Sequence, residues 1–157
     1  VVVSAAGTTL AAAGPAARAQ FRVDVTGVGM TQIPVALQAF RGDESSPQKI
    51  GAIVRADLER SGQFRAVDAG GQSMDETTRP EMSLWRQRTA DALAGGSVTR
   101  LADGRWDVRF RLWDVVRGQD LGGLGYVVPQ ADLRLAAHKI ADYIYEKLTG
   151  DKGVFST

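Results

Sequence analysis

The strongest constraint on the fold is an alternation that follows a tight-turn signal. After Asp103-Gly104, the residues Trp106, Val108, Phe110 and Leu112 alternate with Asp107, Arg109, Arg111 and Trp113. A two-residue period puts one set of side chains on each face of a strand, so this segment is half-buried. Asp-Gly is a favoured two-residue hairpin connection because glycine accepts a positive φ. The small apolar run from Ala90 to Leu101 therefore pairs antiparallel with the alternating strand, and its Gly95-Gly96 pair implies close approach to a neighbouring backbone. Gly118-Gln119 marks a further turn into a third strand, Leu121 to Val128.

Upstream, strand and helix periods interleave. Phe21, Val23 and Val25 alternate with Arg22, Asp24 and Thr26, and Gly27 and Gly29 end that strand. Ile33 to Phe40 reads as a central strand buried on both faces, with Pro34 near its start. Ser46-Pro47 reads as a helix start, Ile50, Ile53, Val54 and Leu58 recur at helical spacing, and Gly62 supplies the stop. Lys49, Arg55, Glu59 and Arg60 form the solvated face of that helix. A short strand spans Gln63 to Asp68, Ala69 to Arg79 is a loop by composition, and Pro80 opens a short helix through Met82 and Trp85. The last helix, Gln130 to Leu148, sets Leu133, Ala137, Ile140, Ala141, Ile144 and Leu148 on one stripe, with Gly150 as its stop. The expected order is β-β-α-β-α-β-β-β-α. It implies an α/β (α+β) fold: a two-layer mixed sheet of about five to six strands packed against two main helices. No solenoid or propeller repeat occurs.

Composition narrows the function. Nineteen Lys and Arg against eighteen Asp and Glu leave a formal charge of +1, with no basic block of the kind that neutralises phosphates, so nucleic acid is a poor partner. The chain has no cysteine, which excludes disulfides, thiolate metal sites and cysteine nucleophiles. The Ala-rich run from Val1 to Ala17-Arg18-Ala19 resembles the later part of a signal peptide, with cleavage expected before Gln20.

Motifs with chemical potential are few. His138 is the only histidine, and it shares a helical face with Arg134, Asp142 and Glu146; a catalytic reading joins it to Asp142 and Ser97, whereas the ordinary reading is an exposed polar stripe. Gly122-Gly123-Leu124-Gly125 lacks the lysine and the strand-to-helix setting of a phosphate loop and reads as a turn or a glycine-lightened strand. Asp43-Glu44 and Asp75-Glu76 lack calcium-loop spacing and read as solvated loop charges. Trp106 and Trp85 read as core. Trp113, on the opposite face, is either covered by a helix or part of a binding surface. Nothing here calls for a cofactor, a metal or a small-molecule substrate.

Three stretches carry a family resemblance. They are Gly51-Ala52-Ile53-Val54-Arg55-Ala56-Asp57-Leu58 with Ser61-Gly62-Gln63-Phe64; Asp103-Gly104-Arg105-Trp106-Asp107-Val108 with Leu112-Trp113-Asp114; and Tyr145-Glu146-Lys147-Leu148-Thr149-Gly150 running on through Asp151 to Thr157. In this order they resemble the TolB amino-terminal domain family of the Tol-Pal system, from Phe21 to the carboxyl end. The resemblance implies residues 20–150 as the domain, residues 1–19 as a partial signal peptide or leader, and residues 151–157 as the start of a linker to a β-propeller that these residues do not contain. It implies a periplasmic, non-enzymatic adaptor that serves outer-membrane integrity and constriction at division. The amino-terminal segment would bind TolA, and a propeller would bind Pal. The segment Gln20, Phe21, Arg22, Val23, Asp24, Val25, Thr26 and Gly27 is the expected contact, because an extended terminal strand can add to a partner's sheet edge. The rival binding reading is a stand-alone module of similar fold acting in outer-membrane assembly or in activation of a cell-wall enzyme.

Overall fold

The computed structural model describes residues 31–157. The expected first strand Phe21–Thr26, the leader Val1–Ala19 and the candidate contact segment Gln20–Gly27 lie outside the described residues. Within them the chain runs β1 (Ile33–Leu37), α1 (Ile50–Arg60), β2 (Phe64–Val67), α2 (Met82–Gln87), β3 (Ala92–Arg100), β4 (Trp106–Asp114), β5 (Gln119–Val128) and α3 (Leu133–Thr149). The strands form one mixed sheet in the order β2-β1-β3-β4-β5. β1 is parallel to both β2 and β3, with Ile33 opposite Phe64 and Val35 opposite Ala92. The last three strands form an antiparallel meander, with Val98 opposite Val108 and Val108 opposite Tyr126.

The pattern of side chains explains these choices. β1 has a paired neighbour on each edge and cover on each face, which is why Ile33, Val35, Ala36 and Leu37 are all buried and the segment shows no alternation. The strand is shorter than the Ile33–Phe40 run expected. Beyond Leu37 the chain still follows β3, but through single contacts: Gln38 N–H donates to the Ala94 carbonyl at 2.8 Å and Arg41 N–H to Gly96 at 2.9 Å, before Gly42 turns it away at φ 85°. Ser46 is not the helix cap. Its hydroxyl donates to the Gln48 carbonyl at 2.7 Å, and the helix begins at Ile50, where Asp43 accepts the Ile50 and Gly51 amides at 2.8 and 2.9 Å. The remote carboxylate satisfies two of the amides that every helix start leaves without intrahelical partners.

α1 and α3 cover one face. Ile50, Val54 and Leu58 from α1, and Leu133, Ala137, Ile140, Ala141, Ile144 and Leu148 from α3, pack with Val35, Val98, Trp106, Val108, Phe110 and Leu112. Each of the larger apolar side chains contributes about 1.5–3 kcal/mol by leaving water. The opposite face is covered over part of its width by α2 and the loop before it: Met74, Met82 and Trp85 pack on Leu93, Trp113 and Val115. Trp113 is thus a covered residue, 6% exposed, with the Arg79 guanidinium 5.8 Å from its ring centroid.

Gly96 of β3 and Gly123 of β5 are there for space. A β-carbon on Gly96 would overlap the Arg109 carbonyl oxygen, and one on Gly123 would overlap the Phe110 carbonyl oxygen, so β3 and β5 pinch β4 from both sides. The Asp103-Gly104 turn forms as expected, with Gly104 at φ 91° and Leu101 N–H donating to the Arg105 carbonyl at 2.7 Å. Gly96→Ala should therefore lose about 1–3 kcal/mol of unfolding free energy in urea titration. Gly71→Ala, where an added β-carbon meets nothing within 4 Å, should lose almost none.

Candidate functional site

The carboxyl ends of β1 and β2 form a crevice of about 450 Å³, lined by Leu37, Gln38, Asp43, Gly51, Arg55 and Asp68 among others. Open α/β sheets bind ligands at such ends where the chain order changes direction, and β1 is such a point because its neighbours are β2 and β3. In nucleotide-binding α/β proteins the helix amides at such a position hold a phosphate. Here Asp43 occupies them with its own carboxylate, so this acid is a structural cap rather than a solvated loop charge.

His138 lies where α3 crosses α1, and its partner is Asp57 rather than the Asp142 of the catalytic reading. Its Nδ1 is 2.5 Å from Oδ2 of Asp57, whose side chain is 1% exposed, and Arg60 pairs with the other carboxylate oxygen. Asp57 occupies the apolar stripe of α1 between Val54 and Leu58, a position where an unpaired carboxylate would be costly. Arg134 and Glu146 are exposed as expected, whereas His138 and Asp142 are half-buried and bonded, so the stripe is only in part a solvated one. Asp142 accepts the Phe155 and Ser156 amides at 2.6 and 3.2 Å and the Ser156 hydroxyl at 2.5 Å. The run from Asp151 folds back on α3, with Phe155 edge-on to Tyr145 at 5.7 Å between ring centroids.

The Ser97–His138–Asp142 triad is not assembled. Ala92, Ala94 and Val98 of β3 face the two long helices and Leu93 faces α2, so Ser97, in phase with Leu93, is on the far side of the sheet from His138. Its hydroxyl donates to Glu76 at 3.0 Å, and Arg41 pairs with the same carboxylate. Glu76, expected in solvent, is therefore an anchor that ties the loop before α2 to β3, its side chain 11% exposed. Its neighbour Asp75 caps a turn, accepting the Thr77 hydroxyl at 2.7 Å, the Thr77 amide at 2.9 Å and the Thr78 hydroxyl at 2.9 Å. The Thr77 hydroxyl bond is the largest of the effects that push the Asp75 carboxyl down to about 2 from its ordinary 3.8.

The rest of this face is charged: Arg109 pairs with Asp107 at 3.0 Å and Arg111 with Asp120 at 3.0 Å. The Gly122–Gly125 run lies within β5, as a glycine-lightened strand and not a phosphate loop. The ladder slips between Arg111 and Trp113, where Gly122 takes φ 90° and donates its amide to Asp120 at 2.7 Å. The Tyr143 hydroxyl donates to the Leu121 carbonyl at 2.8 Å, and burial pushes its own ionisation upward. Among the described residues no group of three or more acidic or histidine side chains is placed to hold a metal ion. No described helix is long and apolar enough to cross a membrane.

A mixed sheet backed by two long helices, its acidic side chains used as internal staples, defines an α/β domain. The family model for the TolB amino-terminal domain matches residues 21–121, and the chain belongs to that family. A Tol-Pal system protein TolB from Albidiferax ferrireducens is 73% identical over 139 residues, covering 88% of this chain, and one from a Polaromonas species is 66% identical over 148 residues, covering 94%. This chain spans about a third of the length of those relatives, 33% and 35% respectively. The crystal structure of TolB from Acinetobacter baumannii matches with a TM-score of 0.69 at 27% identity, over 86% of this chain and 33% of that one.

Two measurements test the staples. Asp57→Asn should cost about 1–3 kcal/mol in urea unfolding, since it weakens bonds to His138 and Arg60 at a buried site, while Arg60→Ala, with a side chain 66% exposed, should cost under about 1 kcal/mol. Because the Asp75 carboxyl is depressed on folding, the turn it caps should be stabilised above pH 3.8 and lose that support as pH falls through about 2. Carboxyl-carbon NMR should place the Asp75 midpoint near 2, and an ordinary value would show that the turn does not persist in solution.

Proposed function

We propose that this domain acts in the periplasm as a non-enzymatic adaptor of the Tol-Pal system and that Gln20–Gly27 binds TolA by strand addition. The observation that carries the reading is the family match, which begins at residue 21 and so includes the alternating segment Phe21–Thr26. Such a segment offers backbone donors and acceptors along both edges. Phe21, Val23 and Val25 on one side would enter apolar depressions in the partner, while Arg22, Asp24 and Thr26 would set selectivity. The Ala-rich stretch ending at Ala17-Arg18-Ala19 supports export to the periplasm, with Gln20 as the first residue after cleavage.

In this reading the domain transmits a link between an inner-membrane partner and the outer membrane, supporting envelope integrity and constriction during division. Pal is a partner of a propeller, and its contact belongs to the longer proteins of which this chain spans about a third.

Calorimetric titration with the soluble carboxy-terminal domain of TolA tests the assignment. Binding should be present for the chain beginning at Gln20 and absent for one beginning at Gly27. Val23→Pro, which removes one strand donor, should weaken binding at least roughly tenfold. Undiminished binding by a folded Val23→Pro protein would exclude strand addition.

A further inference from the structure

The groove between α1 and α3 is a second candidate surface for a partner, remote in sequence from the amino-terminal segment. Its volume is about 340 Å³, and it is lined by Lys49, Ala52, Ile53, Ala56, Asp57 and Arg60 on or next to α1 and by Arg134 and His138 on α3, with Pro47 and Gln48 at one end. Of the ionisable residues lining it, Lys49, Arg60, Arg134 and His138 are basic, and the one acid, Asp57, is buried and already held by His138 and Arg60. The Lys49 ammonium donates to three backbone carbonyls, those of Asp43, Glu44 and Ser46, which fix its position without cancelling its charge. Arg134 is exposed and has no ion pair among the described residues. The His138 ring uses Nδ1 on Asp57, which leaves Nε2 as the ring atom available to a ligand.

We infer that this groove docks an acidic segment of a protein partner, one that presents a carboxylate to the Arg134 guanidinium within the positive field of Lys49 and an apolar side chain to the Ala52–Ile53–Ala56 floor. Charge complementarity selects the sign of the partner, since the groove carries an excess of positive charge in a chain whose formal net charge is only +1. The volume sits at the low end of the roughly 300–1,000 Å³ range of small-molecule pockets, which suits one or two side chains better than a whole metabolite. Concavity and the small number of bases set it apart from membrane-binding patches, which present about four to eight Lys or Arg to a flat surface. The floor supplies what a purely electrostatic patch lacks: alanines that let an incoming chain approach both helices closely, and a half-buried isoleucine to rest against.

The test uses the whole chain, labelled with nitrogen-15, and three probes: a short amphipathic peptide with glutamates along one side and leucine and alanine along the other, the same peptide with lysine for glutamate, and vesicles containing phosphatidylglycerol. The acidic peptide should shift the amide signals of α1, α3 and the Arg134 and His138 region, and the lysine peptide should not. Arg134→Glu should weaken the acidic peptide roughly tenfold and confer binding of the lysine peptide, while Arg65→Glu, on the exposed edge strand β2, should change neither. Failure of the acidic peptide to bind, equal binding by Arg134→Glu, or shifts confined to residues outside α1 and α3 would overturn the inference. Binding to the vesicles without binding to the peptide would overturn it in favour of a lipid surface.

Discussion

Everything else in the domain is arranged around the burial of β1. Its two edges are both taken by parallel partners and its two faces both face apolar side chains, so the chain has to leave it and return from the same end of the sheet twice. The first return is made by α1, whose apolar stripe lies on the sheet; the second is made by the long loop and α2, which pack on the other face. Parallel pairing cannot be closed by a tight turn, and the crossovers it requires are what place helices over the sheet. The meander β3-β4-β5 then needs only hairpins, and α3 completes the cover on the α1 side.

Within this frame carboxylates do the work that ligands do in other α/β proteins. Asp43 fills the helix start at the carboxyl end of β1, Asp57 ties α1 to α3 through His138, Asp142 gathers the last amides of the chain, and Glu76 locks the loop to β3 through Ser97. Each is an internal partner for donors that would otherwise seek water. The arrangement explains why residues that look reactive in a sequence, a lone histidine with acids and a serine, are instead spent on packing. What remains on the surface for recognition is charge and shape.

Much of this was legible from the residues. The two-residue period of Trp106–Leu112, the Asp103-Gly104 turn, the Gly95-Gly96 close approach and the α3 stripe all followed from local rules, because each depends on side chains near in sequence. The misreadings are non-local. Ser46-Pro47 has the composition of a helix start, but a carboxylate seven residues before Ile50 outcompetes the hydroxyl, and no local pattern encodes that reach. Asp57 gave a signal that went unused: it falls three residues after Val54 and one before Leu58, on the buried stripe, and an acid there needs a partner from another element. That His138 was this partner could not be read from i, i+4 spacing, which pointed to Asp142. Trp113 was undecidable by period alone because its cover, α2, is separated from it by a strand and a hairpin.

The fold-back after α3 has a mechanical side. Asp142 holds Phe155 and Ser156 by three hydrogen bonds, Gly153 lies so near that a β-carbon there would come within 2.7 Å of the Asp142 Cα, and Phe155 rests on Tyr145, which itself meets Phe64 of β2. A load applied to the chain at its last residues is therefore not taken up by slack. It is passed through Asp142 and Tyr145 to the side of α3 and, by way of Phe64, to the edge strand β2.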